Sequence, residues 1–250
     1  MRRILLKIAY DGTAYNGWQL AKDGESIEGK LMEAILELTG EKPDIGGASR
    51  TDAGVHARSN LAVFDTDSTI PGDRFSYAIN TRLPDDIRVV MSKEVDSDFH
   101  PRFACTEKTY LYRIQRGEFP DPLRERYTWN LSYDLDPGKM REASAYLIGE
   151  HDFKSFCNIH TDVRSTVREI TDIRVEEKED EIHITVKGYG FLYNMVRIIA
   201  GTLAEVGRGR TEPHEIPNIL ECLDREKAGP TAPARGLTLM DIRILDEKRM

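Results

Sequence analysis

The chain has 250 residues, with 35 lysines and arginines against 43 aspartates and glutamates, for a net charge of −8. Apolar content of 40% beside 31% charged residues suits a soluble globular chain and argues against long disorder. The most apolar stretch, Gly190 to Gly207, is broken by Asn194, Arg197 and Glu205, well short of the ~20 apolar residues of a membrane span, and charge at Lys7 and Asp11 leaves no room for a secretory h-region.

Residues 3–10 (RILLKIAY) form a short β-rich apolar run that predicts a strand. A helix follows from about Ser26, with Ile27, Leu31, Ala34, Ile35 and Leu38 at helical spacing and Gly40 as the stop. Ser26 is its cap, and Gly29 at the third position denies it a capping box. Residues 44–60 are rich in glycine and polar groups and read as a loop, after which 61–66 return to strand. Pro71 suits the first turn of a helix through about Asn80, and 87–95 reads as a strand. In the second half, strands are expected at 107–115, 167–175, 181–187 and 238–245, with an acidic turn from Glu176 to Glu181. Helices are expected after Asp136-Pro137, over 193–206 and near 215–224. Strands and helices interleave throughout, which predicts an α+β fold with largely antiparallel sheets. Two domains are expected, 1–105 and 106–250, with no low-complexity linker between them.

Cys105, Cys157 and Cys222 are odd in number and far apart, and no C-x-x-C exists. Their spacing excludes a zinc ribbon or a thioredoxin-type pair and points to a reducing, cytoplasmic setting. The densest polar loop is GGASRTDAGVHA, residues 46–57. Glycines allow positive φ and close backbone approach around one guanidinium, Arg50, and one carboxylate, Asp52. On composition alone, a plain surface loop fits as well.

Six blocks then share one resemblance. The string G-A-S-R-T-D-A-G-V-H-A resembles the signature of the tRNA pseudouridine synthases of the TruA family. Residues 10–19 (YDGTAYNGWQ), 100–112 (HPRFACTEKTYLY), 151–156 (HDFKSF), 190–207 (GFLYNMVRIIAGTLAEVG) and 232–240 (APARGLTLM) resemble the family's other blocks, in order. The resemblance implies two ferredoxin-like or RRM-like halves around a central cleft. It implies isomerisation of uridine to pseudouridine at positions 38–40 of the tRNA anticodon arm, by a cytoplasmic homodimer. No cofactor or metal is implied, and no Walker loop, dinucleotide fingerprint or H-E-x-x-H is present.

Residue by residue, the resemblance makes Asp52 the catalytic nucleophile or base, a role that requires the carboxylate form. It makes Arg197 the cation paired with Asp52, and a lone charge inside an apolar run does ask for a partner. A structural ion pair elsewhere, or a solvent-facing position, is the plainer reading of Arg197. Tyr110 aligns with the active-site tyrosine, as a stacking platform and a late proton acceptor, against the plainer reading of a core tyrosine. Tyr112 points to the same side of a regular strand. Arg50 aligns with the arginine that enters the RNA and holds the target nucleotide out of its stack, against the plainer reading of a phosphate clamp. His56 reads as a loop stabiliser. Ser59-Asn60 stands where many relatives carry a glutamine.

Charge is uneven: residues 100–126 sum to +2, 187–210 to +3 and 172–181 to −4. The basic segments are expected to line an RNA face, with the acidic turn away from it. The competing readings are an enzyme of the same chemistry with other target sites, an RNA-binding module without catalysis, and a glycosidase. The last needs two carboxylates, and the loop supplies one.

Overall fold

The computed structural model describes residues 1–20, 23–158 and 163–245. The chain divides into two compact units, one of residues 1–106 and 239–250, the other of 107–238. The fold is α+β with mostly antiparallel strand pairing. Among the described residues, no helix is long and apolar enough to cross a membrane. The three cysteines are free thiols.

Unit 1 is built on β1 (Arg2–Tyr10), flanked by β3 (His56–Thr66) and β4 (Ile87–Val95), both antiparallel to it. Ile4, Leu5 and Leu6 are consecutive and all buried, so both faces of β1 are covered. That explains why residues 4–6 form an unbroken apolar run and not an alternation. A short strand, β2 (Gly46–Gly47), adds to β3 at Val63 and Ala62. Helix α1 (Ile27–Thr39) starts where expected: Ser26 Oγ accepts the Gly29 amide at 3.1 Å. It ends at Gly40, whose φ of 73° is the left-handed conformation glycine adopts without a Cβ penalty. Pro71 precedes a 3₁₀ turn that leads into α2 (Phe75–Asn80), which packs on β4. The chain returns to this unit at its end through β10 (Leu237–Ile244), beside β3. There Asp241 Oδ1 accepts the Ser59 hydroxyl at 3.0 Å and lies 3.4 Å from Lys7 Nζ.

Unit 2 carries β5 (Thr106–Arg116), β7 (Gly149–Asp152), β8 (Val167–Lys178) and β9 (Glu181–Gly188), in the order β5-β9-β8-β7. A three-residue strand, β6 (Trp129–Leu131), runs parallel to β5. Asp136 caps α3 (Pro137–Ala145), its carboxylate accepting the Gly138 and Lys139 amides at 2.8 and 3.1 Å. Helix α3 packs on β8 and on α4 (Met195–Gly207), whose apolar face includes the fully buried Ile198, Ile199 and Leu203. A 3₁₀ turn and α5 (Ile216–Glu221) follow.

Two expectations are corrected. The polar stretch 44–60 is not all loop: β2 lies within it, and β3 begins at His56. Ser49, Thr51, His56, Ser59 and Asn60, polar residues that suggested a loop, are buried, with Asn60 fully inside and donating to Ser49 O. The acidic turn is also tighter than the composition suggests. Strand β8 runs on to Lys178, leaving Glu179 and Asp180 as the turn, with Glu179 at φ 53°.

Glu181 is the buried hub beside this turn. Its carboxylate takes two bonds from Arg113, at 2.8 and 2.7 Å, one from Arg124 at 3.1 Å and one from His183 at 2.8 Å. Burial opposes its charge and is the largest single influence, yet Arg113 and His183 together hold its pKa below the ordinary value. A depressed carboxylate stabilises the fold above its unfolded pKa of about 4.3 and loses that contribution as pH falls through the folded value. Glu181→Gln is therefore expected to cost about 1–3 kcal/mol at neutral pH. The gap between variant and wild type should shrink below about pH 4. Urea midpoints at both pH values check this, and an equal gap at both would show that the charge is not the cause.

Candidate active site

The Arg50–Asp52 loop is held by the segment that follows β1. The Trp18 amide donates to Thr51 O at 3.0 Å, and the Gly54 amide donates to Tyr15 O at 3.2 Å. Tyr10 and Thr51 share a hydrogen bond between hydroxyls of 2.7 Å in a buried setting. Asn60 Nδ2 donates to Ser49 O at 2.9 Å and to the Tyr10 hydroxyl at 3.2 Å. Within the loop the Val55 amide closes a turn onto Asp52 O at 3.1 Å, with Gly54 at φ 77°.

Two glycines make this approach possible. A Cβ on Gly12 would lie 2.0 Å from Val55 O, and one on Gly17, at φ 89°, would lie 2.5 Å from Thr51 O. No other residue fits there without moving backbone. Tyr15 anchors the same segment by donating to Asp86 at 2.6 Å. Burial, with the Asp86 carboxylate behind it, pushes that phenol well above its usual pKa, so it stays a donor. The Glu28 amide donates to Trp18 O at 2.9 Å, which ties the segment to α1. The backbone of the Asp52 loop is thus fixed, while the Asp52 side chain is half-exposed and that of Arg50 exposed. The backbone that carries this carboxylate is fixed in advance, the support a preorganised site requires.

His56 is 3% exposed, and its Nδ1 accepts the Gly12 amide at 3.1 Å. Asp11 Oδ1 lies at the same distance from that nitrogen, but an acceptor nitrogen carries no proton for it. His56 is a loop stabiliser, as expected. Block 10–19 had no assigned role from sequence. Its residues Tyr10, Gly12, Tyr15, Gly17 and Trp18 are the cradle of the Asp52 loop, and Asn60, a departure from the family pattern, completes it. The spacing of glycines between aromatics was the available signal.

Tyr110 and Arg197 belong to unit 2. Tyr110 sits on β5 opposite Val186 of β9, 7% exposed, with its ring edge-on to Phe191 at 5.0 Å. Tyr112 is a core residue. It is fully buried, donates its hydroxyl to Pro233 O at 2.8 Å and packs edge-on against Trp129. Burial pushes its phenol far above the usual value. Arg197 is half-buried on the first turn of α4. Its Nε donates to Ala232 O and its Nη1 to Asn194 Oδ1, both at 2.8 Å, while the Ala232 amide returns a bond to Arg197 O at 3.1 Å. A Cβ on Gly201 would lie 1.8 Å from Pro230 O, so the segment before β10 runs against the backbone of α4. The guanidinium is oriented by fixed acceptors and is not a mobile surface charge.

The expected charge separation is overturned within unit 2. Arg113, Arg116 and Arg124 pair with Glu181, Glu177 and Asp180, so the acidic turn lies against those arginines and not away from them. Arg208 and Arg210 both approach Glu205, at 3.2 and 3.6 Å. Counting charges along the chain missed this, because the antiparallel β8–β9 turn brings Glu177, Asp180 and Glu181 beside the end of β5 and the segment that follows it. Among the described residues, no three His, Cys, Asp or Glu side chains gather as a metal site.

A family model described as tRNA pseudouridine synthase matches residues 7–104 and 143–243. A protein named tRNA pseudouridine synthase A from Ruminiclostridium cellulolyticum is 49% identical over 243 residues, 97% of this chain and 99% of its own length. Proteins of that name from Acetivibrio thermocellus and Brevibacillus brevis are 48% and 46% identical over 242 residues, with the same shares. Arg50, Asp52 and Arg197 fall inside the matched ranges, and Tyr110 falls in the stretch between them.

The cradle predicts a graded response to substitution. Tyr10→Phe keeps the ring and loses the shared hydroxyl, and should cost about 0.5–1.5 kcal/mol. Gly17→Ala forces a Cβ against backbone at positive φ and should cost more than about 2 kcal/mol. Thermal and urea unfolding check the order, and an Ala at position 17 as stable as wild type would contradict the close approach.

Proposed function

The chain belongs to the tRNA pseudouridine synthase family, whose reaction isomerises uridine to pseudouridine in tRNA, and we propose that Asp52 is its nucleophile and the anticodon stem-loop at positions 38–40 its target. The single observation that carries the assignment of Asp52 is the cradle: the backbone on both sides is pinned while the carboxylate is left reachable. The target nucleotide is flipped from its stack to meet it, since a stacked uridine hides the bond to be broken.

In the proposed sequence an Asp52 carboxylate oxygen attacks C1′ as the N1–C1′ bond breaks; the freed uracil turns, and its C5 attacks C1′ and displaces Asp52, which leaves as the carboxylate. The C5 proton leaves and N1 takes up a proton, so the product is an isomer and nothing is consumed. Arg197 supplies the cation that keeps Asp52 ionised, a role supported by the two acceptors that orient its guanidinium. Tyr110 supplies the aromatic face for the uracil, and its hydroxyl accepts the C5 proton as it passes its own on. Arg50 fills the space the flipped base leaves. The working form is a cytoplasmic homodimer, and the largely exposed Phe119 and Leu123 are apolar surface that a dimer has reason to bury.

Tritium release from [5-³H]uridine-labelled tRNA tests the chemistry, because forming the C5–C1′ bond expels the C5 hydrogen. Wild type should release tritium, and Asp52→Asn should bind tRNA and release none. Tyr110→Phe should bind and turn over at least about 100-fold more slowly, the usual scale for loss of a proton-transfer group. Tight tRNA binding by wild type with no release from any tRNA would replace the isomerase reading with that of an RNA-binding module.

A further inference from the structure

Unit 1 holds a cleft of about 390 Å³ that, apart from Arg50 on its wall, has no part in the reaction above. Its walls come from β1, β2, β3 and the segment after β4, and they include Trp18, Lys42, Arg50, His100, Arg102 and Phe103. Arg3 also borders it, but its guanidinium is spent on Asp65, with two bonds at 2.8 and 2.7 Å. Among the described residues, Lys42, Arg50 and Arg102 make no ion pair, and all three are exposed. With Arg3 and Asp65 cancelling, these three cations outnumber the two other lining carboxylates, Glu28 and Asp44, so the cleft is locally basic in a chain of net charge −8.

The aromatic side chains give that charge a shape. Phe103 is 80% exposed, an unusual position for so large an apolar ring, and it leans on His100 at 4.8 Å. His100 Nδ1 accepts the Arg102 amide at 3.1 Å. Burial, then the nearby Arg3 and Arg102, hold its pKa below the ordinary histidine value, so the ring is neutral at pH 7 with its proton on Nε2. The His100 and Trp18 rings pack directly onto glycine backbone: a Cβ on Gly46 would lie 2.6 Å from His100 Nε2, and one on Gly47 would lie 2.5 Å from Trp18 Nε1. Besides Asp65, which Arg3 neutralises, two carboxylates face the cleft: Glu28, which accepts the Leu20 amide at 2.9 Å, and Asp44. A phosphate avoids them, but an exocyclic base amine is a donor that Asp44 can accept.

We propose that this cleft binds one unpaired nucleotide of the tRNA strand next to the target, with its base on Phe103 and its phosphate held by Lys42 and Arg102. The inference rests on the tRNA reading above and extends it to substrate selection. Arg50 lines the cleft and stands two residues before Asp52, at most about 7 Å of chain, so a strand delivered to Asp52 passes the cleft mouth. An exposed ring flanked by free cations suits a polymer strand, whose bases stack and whose phosphates release counterions. A closed site for a small metabolite would bury that ring.

Filter binding of an unmodified tRNA transcript across a salt series tests this. Phe103→Ala should weaken binding about tenfold, and Phe103→Trp should restore it. Lys42→Ala with Arg102→Ala should lower the slope of log Kd against log salt by about one to two phosphate contacts. All these positions are at the surface, and unchanged urea midpoints confirm folded variants. Wild-type affinity and salt slope in both Phe103→Ala and the double variant overturn the proposal, whatever the tritium assay gives. No tritium release from wild type, with these binding losses intact, overturns the isomerase reading and leaves this one standing. Free UMP at millimolar concentration should not compete with tRNA. Competition by UMP that Phe103→Ala abolishes, with tRNA affinity unaltered in that variant, would assign the cleft to free nucleotides and overturn the RNA assignment.

Discussion

The close backbone approach between segments 12–18 and 51–55 is the constraint on which unit 1 depends. A carboxylate on a flexible loop samples many positions and holds none, and ordering it costs about 1–2 kcal/mol per residue. Here that ordering is done in advance by carbonyls of one segment against amides of the other, made possible where Gly12 and Gly17 lack side chains. The buried hydroxyl pair of Tyr10 and Thr51, with Asn60 behind it, then locks the register. Each member is replaceable in principle, but none of them can be removed without leaving a buried polar atom of a neighbour without its partner.

Unit 2 solves a related problem in a related way. The helix that carries Arg197 is approached by the 229–232 segment at Gly201, where only hydrogen leaves room. The Gly229 amide donates to Thr202 Oγ1 at 2.9 Å, and Ala232 exchanges bonds with both the backbone and the guanidinium of Arg197. In unit 1 the backbone that carries Asp52, and in unit 2 the guanidinium of Arg197, are held by backbone groups of a second segment, which are stiffer supports than long side chains.

Much of this was legible in the sequence, and the exceptions share a cause. Helix α1 was readable because one face is apolar at a 3.6-residue period and both ends carry local signals, Ser26 and Gly40. The pair β8 and β9 was readable because its alternation is regular. The start of β3 was not, because His56, Ser59 and Asn60 look like loop residues until their partners from distant segments are known. The interruption of an apolar run singled out Arg197, while nothing local separated Tyr110 from Tyr112. Only the acceptor at Pro233 shows that the Tyr112 hydroxyl is already committed. Summed charge misled for the same reason: pairing between the 113–124 segment and the β8–β9 turn is invisible to a linear count.

The return of β10 to unit 1 has a consequence for how the chain is made. Unit 2 is contiguous, so all of it is synthesised before the last strand of unit 1. Until then the edge of β3 lacks its neighbour, and Ser59 and Lys7 lack Asp241. Unit 1 begins first and finishes last, and its closure joins contacts more than 180 residues apart, 182 between Ser59 and Asp241 and 234 between Lys7 and Asp241. Such long-range closure is slow, and an unpaired strand edge exposed in the interval is an aggregation hazard. The nascent chain is therefore most in need of chaperone protection late in synthesis, at its oldest part.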